Sequence, residues 1–246
     1  MDLNGKRAIV TGGASGFGLG IVDAFLAAGA RVLVADINGD GAADIAASRG
    51  AAACRVDVAV DASVAAMVES ARKMLGGVDI VVNNAGITHQ RMALEDVSES
   101  DFDRVFAVNA KSVYLTARHL VPGFKAAGAG VILNVASTAG ISPRAELNWY
   151  NATKGWMISA TKTMAVELAP AGIRVNALCP VAGETPLLAS FMGADTPEMR
   201  EKFLATIPLG RFSTPQDMGA AATFLCSDAA SMITGVALEV DGGRCI

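Results

Sequence analysis

Thr11-Gly12-Gly13-Ala14-Ser15-Gly16-Phe17-Gly18 stands between a short apolar run, Ala8-Ile9-Val10, and a segment whose apolar residues fall at helical spacing: Leu19, Ile21, Val22, Phe25 and Leu26. Residues 6–11 read as a buried strand, and the helix that follows the glycines stops at Gly29. A glycine-rich turn at such a junction lets the backbone approach a pyrophosphate, whose charge then faces the N-terminus of the helix. Residues 31–36 read as a second strand. Asp36 ends it eighteen residues past Gly18, where a carboxylate can bind the hydroxyls of an adenosine ribose. A 2′-phosphate there would meet like charge, so NAD(H) rather than NADP(H) is the cofactor expected. The competing reading of Asp36 is a strand-end turn residue.

The alternation continues outward from this turn. Residues 51–56 form a third strand that ends at Asp57-Val58, and the segment 61–75 carries Val64, Met67, Val68, Ala71, Met74 and Leu75 on one helical face. A fourth strand, 78–82, leads into Asn83-Asn84-Ala85-Gly86, and a polar loop over 87–100 precedes a long helix over about 101–126 that carries Asn109. Strand 130–136, helix 151–169 and strand 173–178 follow. Strands alternating with helices predict right-handed βαβ units and a mostly parallel sheet covered on both faces. No Pro/Ser-rich linker or repeat divides the chain, so residues 1–246 are expected to form a single α/β, Rossmann-type doubly wound domain.

Composition narrows the class further. Hydrophobic residues make up 52% of the 246, and mean hydropathy is +0.42, which supplies a core and argues against disorder. The longest uncharged run, 126–143, is broken by Gly128, Gly130, Asn134, Ser137 and Gly140, a pattern for a strand between loops and not for a membrane span. The apolar run after Lys6-Arg7 is too short for a signal peptide. A net charge of −4 without a basic block makes nucleic acid an unexpected partner. Cys54, Cys179, Cys226 and Cys245 are scattered, and His89 and His119 are thirty residues apart, so no metal site is expected. The cysteines read as reduced, mostly buried residues of a cytoplasmic protein.

A second stretch, from Asn134 through Ser137 to Tyr150 and Lys154, bears the chemistry. Tyr150 and Lys154 are four apart on a helical segment, which puts both on one face, one turn apart. A free phenol titrates near 10, and a fixed ammonium nearby favours the phenolate. Lowering the pKa by about three units requires roughly 4 kcal/mol of preferential stabilisation of the anion, which a desolvated lysine and a cationic cofactor ring together can supply. Ser137 follows the apolar run Val131-Ile132-Leu133-Asn134-Val135, at the exit of a buried strand, where its hydroxyl can hold a substrate oxygen. Alone, a Tyr-x-x-x-Lys pair is common, and a surface tyrosine beside a solvated lysine is its ordinary reading.

Five motifs in order change that reading. The sequence resembles the short-chain dehydrogenase/reductase family in its form of about 250 residues, across essentially the whole chain. Thr-Gly-x-x-x-Gly-x-Gly stands at 11–18, Asn-Asn-Ala-Gly at 83–86, a helical Asn at 109, Ser at 137 and Tyr-x-x-x-Lys at 150–154, with Ser137 thirteen residues before Tyr150. The resemblance implies a seven-stranded sheet, whose last strand falls within 234–243 after a helix over 216–226. It implies that Asn109, Ser137, Tyr150 and Lys154 form the catalytic group. Tyr150 would be the acid in carbonyl reduction and the base in alcohol oxidation, Lys154 would hold the nicotinamide ribose and lower the Tyr150 pKa, and Asn109 would bind a water linking Lys154 to solvent. The solvent side of its helix is the alternative place for Asn109.

The cofactor residues implied are Gly12, Ser15, Gly16, Phe17 and Gly18 in the turn, Asp36 and Ile37 at the ribose, Asp57 and Val58 at the adenine, Asn84, Ala85 and Gly86 along the cleft, and Tyr150 and Lys154. Pro180, Gly183 and Thr185 complete the set, from a stretch similar to the family's Pro-Gly-x-x-x-Thr. Val181 replaces its usual glycine, and Gly183 comes two residues later. The apolar segment 187–213 corresponds to the family's lid over the substrate; ordinary core is the other reading. Ser137, Thr138, His89, Arg144, Glu146, Trp149 and Glu184 are the residues expected to face the substrate, with solvated loop positions as the alternative for His89, Arg144 and Glu146.

The activity implied is interconversion of a small secondary alcohol and its ketone. A 3-oxoacyl-acyl-carrier-protein (or acyl-CoA) reductase is the alternative. Asp36, and the single basic residue, Lys125, in the stretches 124–130 and 169–172 that would dock an acidic carrier, weigh against it. A non-catalytic dinucleotide-binding regulator is the rival of another class; it would not need the four catalytic positions. Many relatives are tetramers, and Trp156, Met157 and Met164 give the 151–169 helix more apolar surface than one sheet contact needs, so a homotetramer is expected.

Overall fold

The computed structural model describes residues 1–193 and 196–246. Seven strands form one sheet: β1 (Arg7–Thr11), β2 (Arg31–Asp36), β3 (Ala52–Arg55), β4 (Ile80–Asn83), β5 (Gly130–Val135), β6 (Ile173–Pro180) and β7 (Ala237–Val240). Their order is β3-β2-β1-β4-β5-β6-β7, and every pairing is parallel, so the sheet is wholly rather than mostly parallel.

A parallel sheet needs apolar side chains on both faces, and the strands supply them with a period of two. Ala8, Val10, Val32, Val34, Ile80 and Val82 point to one face. There they meet Ile21, Val22 and Phe25 of α1 (Gly16–Ala27), Ala42 of α2 (Gly39–Arg49) and Met218, Ala222 and Leu225 of α9 (Pro215–Cys226). Ile9, Leu33, Val81, Ile132 and Val175 point to the other, against α3 (Asp61–Leu75), α5 (Ser112–Ala127) and α6 (Asn148–Leu168).

Three differences from the sequence reading have physical causes. Residues 39–49, left unassigned above, form α2, because the Asn38 side chain accepts from Gly41 N (3.1 Å) and caps its first turn. The long helix expected over 101–126 is interrupted: α4 (Glu99–Phe106) passes through a π-helical turn, Ala107–Lys111, into α5. The polar loop is correspondingly shorter, since Ser98 caps α4 by accepting from Asp101 N. The segment 187–213 holds two short helices, α7 (Leu188–Met192) and α8 (Pro197–Leu204); Ala194 and Asp195 within it lie outside the described residues. Its Leu188, Met192, Phe203, Ile207 and Phe212 pack with Val181 as an apolar cluster of their own.

Helices α1 and α9 touch through glycine. A Cβ on Gly20 would stand 2.2 Å from the Pro215 carbonyl oxygen, and one on Gly219 would stand 2.5 Å from that of Gly20. The obstructing atoms are backbone and move only with their helices. Gly20→Ala is therefore expected to lower the unfolding free energy by about 1–3 kcal/mol, read as a shifted urea midpoint at unchanged slope.

Candidate active site

The order of strands reverses between β1 and β4, and the carboxyl ends of strands at such a switch point bound a crevice. A cavity of about 410 Å³ lies there. Every residue assigned above to the cofactor lines it: Gly12, Ser15, Gly16, Phe17 and Gly18 of the turn, Asp36 and Ile37, Asp57 and Val58, Asn84, Ala85 and Gly86, Tyr150 and Lys154, and Pro180, Gly183 and Thr185.

The turn is shaped for close approach. A Cβ on Gly18 would fall 2.0 Å from the Gly12 carbonyl oxygen, so only glycine fits. Asp36 is fixed at both oxygens: Ala14 N donates to Oδ2 (3.1 Å) and Asn38 N to Oδ1 (3.0 Å). The Thr11 hydroxyl donates to the Val82 carbonyl (3.1 Å) and accepts from Asn84 N (3.0 Å) and Ala85 N (3.1 Å). Asn84 Nδ2 donates back to the carbonyls of Thr11 (2.9 Å) and Gly12 (3.1 Å). These contacts hold the exits of β1 and β4 at fixed separation. A pre-shaped glycine cradle with an anchored carboxylate at the end of β2 fits an adenine dinucleotide lacking a 2′-phosphate.

Ser137, Tyr150 and Lys154 converge in the cavity wall and are nearly sealed, at 9%, 5% and 4% exposure. Lys154 Nζ donates to the Val135 carbonyl (2.8 Å) and lies 5.8 Å from the centroid of the Tyr150 ring. Burial pushes the Tyr150 phenol up to about 12, against the Ser137 hydroxyl and the charge of Arg144, which both favour the phenolate. Burial draws Lys154 down to about 8. The Arg144 charge favours the phenolate, and the Lys154 ammonium, to which the sequence reading gives that role, donates to a backbone carbonyl on the same side of the cavity.

Asn109 is fully buried, which overturns the solvent-side alternative. It sits on the π-helical turn, and its amide spans the loop after β4: Oδ1 accepts from Ile87 N (2.9 Å), while Nδ2 donates to Ile87 O (2.8 Å) and Thr153 Oγ1 (3.1 Å). Both amide donors are thus taken by protein, one of them by the neighbour of Lys154. A Cβ on Gly86 would meet Lys154 Nζ at 3.4 Å and Asn109 Oδ1 at 3.5 Å, so that glycine lies between the two.

After Pro180 the displaced glycine proves necessary where it stands. A Cβ on Gly183 would lie 2.2 Å from Phe17 Cζ, and the residue bridges to Ser213, which ties this stretch to the turn below and the chain before α9.

Of the residues expected at the substrate, Ser137, Thr138 and Arg144 line the cavity. Trp149 does not; it packs edge-on against Phe102 and donates to the Leu94 carbonyl (3.3 Å). Glu146 is turned outward into an ion pair with Arg91 (2.7 Å). Glu184 borders a second, open pocket beside Gly20 and Pro215. His89 is buried (2% exposed) and off the cavity wall, with Nδ1 donating to the Gln90 carbonyl (2.7 Å), so it is not a solvated loop histidine. Apolar residues complete the wall: Phe191 and Phe203 from the segment expected as a lid, and Leu147 and Val181, which the sequence reading did not place there.

The chain is similar to known dehydrogenases and reductases along its whole length. A family model described as enoyl-(acyl carrier protein) reductase matches residues 12–244. The 4-formylbenzenesulfonate dehydrogenase of Comamonas testosteroni is 51% identical over 250 residues, covering 99% of each chain. The D-beta-hydroxybutyrate dehydrogenase of Cupriavidus necator is 39% identical over 257 residues, covering 98% of each. Among solved structures, 3-ketoacyl-(acyl-carrier-protein) reductase from Brucella melitensis complexed with NADH superposes with a TM-score of 0.95 at 52% identity, over 100% of both chains.

Proposed function

Because the chain belongs to the short-chain dehydrogenase/reductase family, we propose that it is an NAD(H)-dependent oxidoreductase interconverting a secondary alcohol and a ketone, with Tyr150 as the acid/base. The observation that carries this reading is the convergence of Ser137, Tyr150 and Lys154 in the wall of the same cavity that the glycine turn and Asp36 line. Bound NAD⁺ supplies the hydride acceptor and NADH the donor. Asp36 and the turn hold the adenosine and pyrophosphate portions, while Lys154 and Thr185 lie beside the nicotinamide end. In oxidation the substrate hydroxyl proton passes to Tyr150 Oη; in reduction the phenol returns it to the carbonyl oxygen, which Ser137 Oγ holds in place. Asn109 positions the loop against which Lys154 rests.

A second reading, reduction of a 3-oxoacyl thioester, rests on the likeness to the Brucella protein. A non-catalytic regulator is disfavoured by the assembled Ser137–Tyr150–Lys154 group. The same proposal makes the protein a cytoplasmic homotetramer. Partly exposed Phe102, Phe106 and Trp156, in mutual ring contact on α4 and α6, support an associating face. Four unpaired cysteines support a reducing compartment. Among the described residues no helix is long and apolar enough to cross a membrane.

Tyr150→Phe is expected to cut turnover at least about 100-fold while NADH still binds, read by steady-state rates and by fluorescence titration. Unchanged turnover would sink the mechanism.

The pH dependence has a definite sign. Tyr150, raised toward about 12, stands in its acid form at neutral pH, ready to reduce. Reduction draws on the phenol and should stay flat from neutral pH to well above about 8. Oxidation needs the phenolate and should climb through the same interval. An oxidation kcat that falls as pH rises there would contradict the assignment.

For the cofactor, NADH should bind about 100-fold or more tightly than NADPH, because the 2′-phosphate meets the Asp36 carboxylate. Asp36→Ser should shrink that ratio. Tighter NADPH binding by the wild type would return the oxoacyl reductase to first place.

A further inference from the structure

The cavity has two ends of opposite sign. Its carboxylates, Asp36 and Asp57, lie at the glycine-turn end. Beyond Ser137 and Tyr150 the wall is apolar, with Leu147, Val181, Phe191 and Phe203, and the one charged side chain it adds is Arg144. The Arg144 guanidinium lies over the Phe203 ring, 4.2 Å from its centroid. Among the described residues, no carboxylate or carbonyl oxygen accepts a hydrogen bond from it. Five donors in a fixed fork are thus turned into an apolar chamber without a protein acceptor.

The surroundings deepen this positive field. Burial, Arg244 and Arg91 all draw Arg144 down to about 10. Arg91 has its own carboxylate, Glu146, which is turned away from the cavity. Arg244 donates to Ser142 Oγ (3.3 Å), and its Nε is buried with no acceptor among the described residues. The loop is built to present this arrangement. Glu146 is the one non-glycine residue among those described with positive φ (67°), a costly conformation for a side chain of its kind. The Arg144 carbonyl is held by Asn151 Nδ2 (2.7 Å) at the start of α6. Strain and anchoring together turn Glu146 out and leave Arg144 facing in. A desolvated arginine among like charges is disfavoured until an anion joins it.

We propose that Arg144 selects substrates bearing a carboxylate-type oxyanion on a small apolar or aromatic body, its fork binding that group while the reacting carbon lies at Tyr150. The proposal rests on the oxidoreductase reading of this site and deepens it. Phe191, 5.2 Å from the Tyr150 ring, and Phe203 flank the space that the apolar body would take.

Calorimetry on the NADH complex decides it, with two matched ketone pairs as probes: 4-acetylbenzoate against 4-acetylbenzamide, and 4-oxopentanoate against 4-oxopentanamide. In at least one pair the carboxylate should bind about 10- to 100-fold more tightly than its amide, the range of a charge-assisted hydrogen bond. Arg144→Gln should erase that difference while leaving the NADH affinity unchanged. Arg144→Lys, which keeps the charge and loses the fork, should retain part of it. Equal affinity within both pairs, no binding of any probe, or a preference that survives in Arg144→Gln would each overturn the proposal. Turnover of the same probes reports separately on the oxidoreductase reading. Its absence with every probe would count against ketone reduction and leave the binding preference set by Arg144 untouched.

Discussion

The structure depends on how two parallel strands are held together at the point where the sheet changes direction. β1 and β4 are neighbours in space but far apart in sequence, and the crevice exists because their exits diverge there. One hydroxyl governs that divergence. Thr11 donates to the Val82 carbonyl and accepts from two successive amides, Asn84 and Ala85, while the Asn84 amide returns two bonds to β1. Five bonds among buried and half-buried groups close the donors and acceptors that the strand ends would otherwise leave unpaired. The glycines between Thr11 and α1 can then run close to Asn84 without collapsing onto it. The cradle is fixed by its rim, and the sheet supplies the rim.

The reactive group shows what burial does to a tyrosine and a lysine on one helical face. Sealed from water, both are driven toward neutrality, the phenol up and the ammonium down. The protein's own counterweights are unequal: Ser137 and Arg144 act on the phenol, and a backbone carbonyl satisfies the ammonium. A site arranged this way holds its proton on Tyr150 at rest. Any further lowering of the phenol must come from positive charge brought by what binds, which agrees with a cofactor whose oxidised ring is cationic.

Much of this was legible in the sequence, and for reasons that differ by element. The glycine turn, the acid at the end of β2 and the strand exits were readable because local chemistry dictates them: a Cβ does not fit, and an alternating apolar strand has one way to lie in a covered sheet. The place of Asn109 was not readable. A π-helical turn adds one residue to a helix and leaves no mark in apolar spacing, so a continuous helix over 101–126 left the asparagine free to face either way. Trp149 and Arg144 were equally plausible wall residues in a loop without periodicity. What separates them is the turn at Glu146 and the contact with Phe102, both tertiary. The segment 187–213 was readable only as either a lid or a core, because residues facing a ligand chamber and residues facing a core carry the same apolar signal.

Helices α4–α5 and α6 each present opposite faces to the site and to solvent within a few residues. Phe106, partly exposed and edge-on to Trp156, precedes fully buried Asn109 by three positions, and Trp156 follows Lys154 by two. An uninterrupted α-helix places residues three apart on one side. The π-helical turn between them changes that phase, so that Phe106 stays outside while Asn109 turns inward to Ile87 and Thr153. On α6 no such device is needed, because residues two apart already diverge by about 200° on a helix of 3.6 residues per turn. The aromatic surface and the catalytic lysine thus share two helices, and the Asn109 amide, three residues past Phe106, ties its turn to the Ile87 loop that borders Lys154.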